Sequence, residues 1–156
     1  MILKKLEQLD NGDVIAFKGS GIFSRYVRKF TKSPFTHVAI VINIKCDGLD
    51  KEIPCIVESH STAGYRLRNI NTFSKPYWVF KTNAKWNKQA AEIALKNIGT
   101  YKYAWINIFL AVIGMKMITV GDHLVCHQFA ARILNFCGVK VGNPKSPQEL
   151  LDRLGK

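Results

Sequence analysis

The hydrophobic period of this chain changes once, near Trp86, and that change limits the folds open to it. Before Trp86, apolar residues fall in short β-branched or aromatic runs separated by Gly, Asn, Asp, Ser and Pro. Val14–Phe17 follows a Gly12-Asp13 turn. Thr36–Ile42 follows a Ser33-Pro34 break. Ile53–Ser59, Tyr65–Arg68 and Tyr77–Lys81 complete a set of five expected strands. Between the first two, Ile22, Tyr26, Val27 and Phe30 have helix-like spacing.

After Trp86 the spacing is helical. Ala90, Ile93, Ala94 and Ile98 mark an amphipathic helix ending near Gly99, and Tyr101–Met115 reads as a second, more buried one. Asp122–Phe136 is a third, with Val125, Phe129, Ala130, Ile133, Leu134 and Cys137 on one stripe and Gly138 as its stop. Ser146-Pro147 caps a short terminal helix. Strands first and helices afterwards, sharing one core, predict an α+β fold. At 156 residues the whole chain, 1–156, is expected to be a single domain.

Hydrophobic residues make up 47% and charged residues 22%, which excludes a disordered or fibrous chain. The net charge of +12 favours anionic partners: an acidic cell-wall polymer, a lipid surface or nucleic acid. Cations cluster at Arg25, Arg28, Lys29 and Lys32, and alternate with apolar residues in Tyr65-Arg66-Leu67-Arg68. Gly19-Ser20-Gly21 lacks the lysine of a P-loop and the third glycine of a dinucleotide fingerprint, and reads as a turn. The N-terminus has no long apolar run, and the twelve residues Ala104–Met115 fall short of the ~20 a membrane span needs. A cytoplasmic location is the default expectation, and a phage or viral source is compatible with it.

Four cysteines, at 46, 55, 126 and 137, contain no C-x-x-C pair, so no metal site and no cofactor are expected. Cys46 and Cys55 flank a polar loop, where they could face each other across a hairpin. Without an export signal, reduced thiols are expected there.

Cys126 opens the third helix, where the positive end of the helix dipole favours a thiolate. A nucleophile and an ordinary packed thiol both fit that position. A nucleophile needs a base, and the base needs an orienting group. His37 begins the most apolar strand, and Glu58 ends another just before Ser59-His60-Ser61. If those strands are neighbours, Glu58 can hold the His37 ring. His123 competes as base and His60 as orienting group. His127 is a poorer base, because adjacent helical side chains diverge by about 100°.

Taken in order, Gly12–Phe17, Thr36–Ile42, Ile56-Val57-Glu58, Ile98-Gly99-Thr100-Tyr101, the Cys126 helix and Ser146–Leu150 resemble the circularly permuted NlpC-type branch of the papain-like cysteine peptidases and amidases. The resemblance implies an antiparallel, barrel-like sheet packed against helices. It makes Cys126 the nucleophile, His37 the base and Glu58 the orienting residue, with the Cys126 backbone N–H supporting the oxyanion. Tyr101, His127 and Ser59 become the expected substrate contacts. His127 stands where family members often carry serine.

The implied activity is hydrolysis of an amide, as in a cell-wall peptide, or of a related acyl bond, through a thioester. Lecithin–retinol acyltransferase-like enzymes belong to the same superfamily, which makes a phospholipid acyl hydrolase or transferase the alternative. A non-catalytic polyanion-binding module is a third reading.

Overall fold

The computed structural model describes residues 9–19, 24–25, 28–29, 32–46, 48, 50–61, 63–100 and 124–155. Five strands run in chain order: β1 (Val14–Phe17), β2 (His37–Lys45), β3 (Glu52–His60), β4 (Gly64–Asn69) and β5 (Tyr77–Phe80). All neighbours are antiparallel, in the spatial order β4-β3-β2-β1-β5. Three helices are described: α1 (Lys88–Leu95), α2 (Cys126–Phe136) and α3 (Pro147–Leu154). The architecture is α+β, as the change of period predicts. The sheet is open, with β4 and β5 as its edges, so the barrel-like closure is not found among the described residues.

β2 reads as an unbroken apolar run because both of its faces are covered. Successive strand side chains alternate between faces. Val38, Ile40 and Ile42 turn inward with Val14, Ala16 and Val57 against Phe129, Ile133 and Leu134 of α2 and Leu150 of α3. Ala39 and Val41 turn outward with Ile15 and Ile56, beneath Ile70, Phe73 and Tyr77. The register Ile40↔Val57 places the nine-residue strands β2 and β3 side by side and fixes which residues share the outer face.

Each helix is ended by local chemistry. Asn87 accepts from the N–H of Ala90 at 2.9 Å to start α1, which stops at Leu95, short of Ile98. Ser146 accepts from the N–H of Glu149 at 3.1 Å, and Pro147 opens α3 as predicted. Gly138, at φ +84°, follows α2 in a conformation that favours glycine. Gly12 is required sterically: at φ +90°, a Cβ there would lie 2.5 Å from Cβ of Ala84.

The described residues correct two further expectations. The third helix begins at Cys126, because Leu124 is not helical and Val125 is extended. Cys55 pairs with Ile42 while Cys46 lies beyond the end of β2, so the two are not cross-strand partners, and both are free thiols. The expected helices at 22–30 and 101–115, and with them Tyr101 and His123, lie partly or wholly outside the described residues.

Candidate active site

The outer face of the sheet carries a row of polar side chains that the strand register assembles. His37, the first residue of β2, shares that face with Ala39. Glu58 shares it with Ile56 on the neighbouring strand, and Arg66 is the cross-strand partner of Glu58. Phe17, the partner of His37 on β1, lies with its ring centroid 5.7 Å from the imidazole. His60 meets the same imidazole edge-on at 5.8 Å. The ring is therefore held from both sides.

The carboxylate of Glu58 is 1% exposed. Both its oxygens are engaged by side chains. Oε2 is hydrogen-bonded to Nε2 of His37, and Oε1 accepts from Nε of Arg66 at 2.6 Å. A buried carboxylate is tolerable only when such charged donors compensate it. Burial favours the neutral acid, but the bonds and charges of His37 and Arg66 outweigh it and hold the pKa of Glu58 down at about 2.

Nε2 is committed to Glu58, which leaves Nδ1 as the ring nitrogen free to interact with the Cys126 thiol. Burial opposes a charged ring. The hydrogen bonds and charges of Cys126 and Glu58 prevail, raising His37 to about 10. Cys126 is the first residue of α2 and 4% exposed. Burial favours its neutral thiol, yet hydrogen bonds from His127 and His37, with their charges, bring it down to about 5. The orphan N–H groups of the first helical turn act in the same direction. Both shifts favour the thiolate and imidazolium forms of the pair.

The entry to α2 is pinned by β3 and β4. Ser59 is fully buried, and its hydroxyl donates to the carbonyl of Leu124 at 2.6 Å. The Tyr65 hydroxyl accepts from the N–H of the same residue at 3.0 Å. Ser59, expected as a substrate contact, is absent from the cleft walls, and its hydroxyl proton is committed to the backbone. His127, 6% exposed, turns its ring to the Cys126 sulfur, and its Nε2 is buried without a hydrogen-bond partner. It too is absent from the walls of the cleft. The divergence of adjacent helical residues applies to their Cα–Cβ bonds, and an imidazole is long enough to reach back to the neighbouring sulfur.

The cleft beside this constellation measures about 370 Å³. His37, Glu58, His60, Arg66, Arg68 and Phe73 are among its lining residues. Cys126 is not on its walls and meets it through the His37 ring. The structure brings together Cys126, His37 and Glu58, the three residues singled out in the sequence, and adds the contacts of Arg66 with Glu58 and of Tyr65 with Leu124, which the sequence did not indicate. Arg66 was legible only as one cation of an alternating basic run, because its partnership with Glu58 depends on register.

No family model matches the sequence, and neither does any curated protein. Among solved structures, the chain is similar to the metalloprotein yiiX from Escherichia coli O157:H7, DUF1105. The two share 15% identity over 94% of this chain and 82% of that one, with a TM-score of 0.60. At that identity the likeness concerns the fold alone.

Proposed function

We propose that this chain is a cysteine-nucleophile hydrolase of the permuted papain-like, NlpC type, cleaving an amide or related acyl bond through a thioester. The observation that carries this reading is the His37 ring, hydrogen-bonded at once to the Cys126 thiol and to a buried carboxylate. A merely packed cysteine has no need of a charged base held in one orientation by a buried acid. The chain order is histidine, acid, cysteine, the order that the family resemblance implies.

In the first half-reaction the Cys126 thiolate attacks the acyl carbon, and the carbonyl π electrons move onto oxygen. The first-turn N–H groups of α2 stabilise that oxyanion. The tetrahedral adduct collapses, the bond to the leaving group breaks, and protonated His37 supplies the proton that group needs. His37, now neutral, takes a proton from water as its oxygen attacks the thioester. The acid leaves, and thiolate and imidazolium are restored. Glu58 stays ionised throughout and stabilises the imidazolium.

The neighbour's description as a metalloprotein suggests no step here. Both oxygens of Glu58 already face cationic groups, a poor setting for a metal ligand. Among the described residues no three His, Cys, Asp or Glu side chains gather as a ligand set.

The proposal is tested by assaying model amide and ester substrates with the wild type and with Cys126→Ala and His37→Ala. Each variant is expected to lose at least a hundredfold in kcat/KM. A Cys126→Ala protein retaining more than about a tenth of the activity would overturn it.

A further inference from the structure

The walls of the cleft carry four permanent cations, Lys18, Arg66, Arg68 and Lys75, against the single carboxylate of Glu58. Arg66 is spent on that carboxylate. Arg68 is not. Its guanidinium carbon lies over the Phe73 ring, 4.1 Å from the centroid. Its Nη1 stands 3.9 Å from Oε1 of Glu58, beyond hydrogen-bond range. Among the described residues Arg68 makes no hydrogen bond of its own. The aromatic face holds the guanidinium by a cation–π contact that uses none of its N–H donors, which leaves them for an anion. Lys18, exposed at the end of β1, is held over the Trp78 ring at 4.7 Å on the same rim.

We propose that this cleft is a subsite for an oxyanion, a carboxylate or a phosphate, carried by the acyl substrate and anchored by Arg68. Glu58 and the His37 ring intervene between Arg68 and Cys126, so the anion sits several bonds from the carbonyl under attack. The excess of cations also concentrates anionic substrates at the mouth of the site, an effect that salt screens. The inference rests on the cysteine-hydrolase reading and goes beyond it in naming the charge of the substrate.

The test uses two thiol reagents of similar size and opposite charge, 2-sulfonatoethyl and 2-(trimethylammonio)ethyl methanethiosulfonate, with modification read residue by residue by mass spectrometry. Cys46 is a half-buried thiol just beyond the far end of β2, and it serves as an internal reference. At low salt, the anionic-to-cationic rate ratio at Cys126 is expected to exceed that at Cys46 by about tenfold. Arg68→Gln should bring the two ratios together. Equal ratios in the wild type would overturn the subsite while leaving a fast Cys126 nucleophile intact.

A second measurement does not depend on the thiol. In Cys126→Ser protein, millimolar glutarate or inorganic phosphate should raise Tm, and Arg68→Gln should abolish the rise. A rise with glutarate alone assigns a carboxylate, and a rise with phosphate alone assigns a phosphate headgroup or ester. No rise with either, or an equal rise in Arg68→Gln, overturns the proposal. A slow Cys126 together with an Arg68-dependent rise would sink the hydrolase reading and keep the anion site.

Discussion

Among the described residues two carboxylates are almost wholly buried, and their surroundings differ in kind. Asp13, 0% exposed, sits in the turn before β1. Its Oδ1 accepts from the backbone N–H of Thr82 at 3.2 Å. Its Oδ2 accepts from that of Asp10 at 2.9 Å and from Nζ of Lys81 at 2.7 Å. Glu58 is bound by side chains alone: a histidine that reaches a thiol, and an arginine. Two of the three donors on Asp13 are backbone groups and the third, Lys81, also bonds Asp10, so Asp13 ties the start of β1 to the segment after β5. The side-chain partners of Glu58 extend to the thiol, and its charge favours the protonated form of His37. Buried charge alone does not mark a functional site; the chemistry of its partners does.

The sharpest way to break this contrast is to neutralise each acid in turn. Glu58→Gln should lower kcat/KM by about 10²–10⁴, because it removes the charge that stabilises the imidazolium and fixes its tautomer. Asp13→Asn should leave kcat/KM within about threefold of wild type and cost about 1–3 kcal/mol in stability, read by denaturant unfolding. Equal losses of activity in the two variants would show the distinction to be false.

The pH profile sharpens the comparison next. Cys126 is depressed to about 5, so reactive thiolate accumulates as pH rises through that value. His37 is raised to about 10, so its acid form is lost only above it. A broad kcat/KM plateau between those limits is expected. Glu58→Gln should narrow it from the alkaline side, since the neutral amide no longer supports the imidazolium. Asp13→Asn should leave both limbs in place.

The smallest expected effects concern the pins on Leu124. Ser59→Ala and Tyr65→Phe each leave a buried backbone group unpaired and should cost about 1–3 kcal/mol of stability. If the two residues position the Cys126 helix, kcat should fall severalfold with little change in KM. An unchanged kcat would confine both to a structural role.

Much of this was legible in the sequence where the determinant is local. The β-branched run after Ser33-Pro34, the Ser146-Pro147 cap and the Gly138 stop each report on the few residues around them, and β2, α3 and the end of α2 fall where they indicate. His37 and Glu58 could be paired on paper because each lies at a strand end. What stayed hidden depends on non-local geometry. The partnership of Arg66 with Glu58 needs the β3–β4 register, and the burial of Ser59 needs the inward turn of its strand face onto Leu124. The turn of His127 toward Cys126 needs a helix that starts at Cys126 itself, and the propensities of Asp122 and His123 gave no sign of that start. An open sheet and a barrel-like one are built from the same strand patterns, so closure was not legible either.

The central claim is that His37 links Cys126 to Glu58 as an ion pair. The most direct test is the pH dependence of iodoacetamide alkylation at Cys126, resolved from the other thiols by mass spectrometry, in wild type and in His37→Ala. The account predicts a wild-type midpoint near 5 that moves well upward in the variant. A wild-type midpoint at the ordinary thiol value of about 8.5, unmoved by removal of His37, would contradict it.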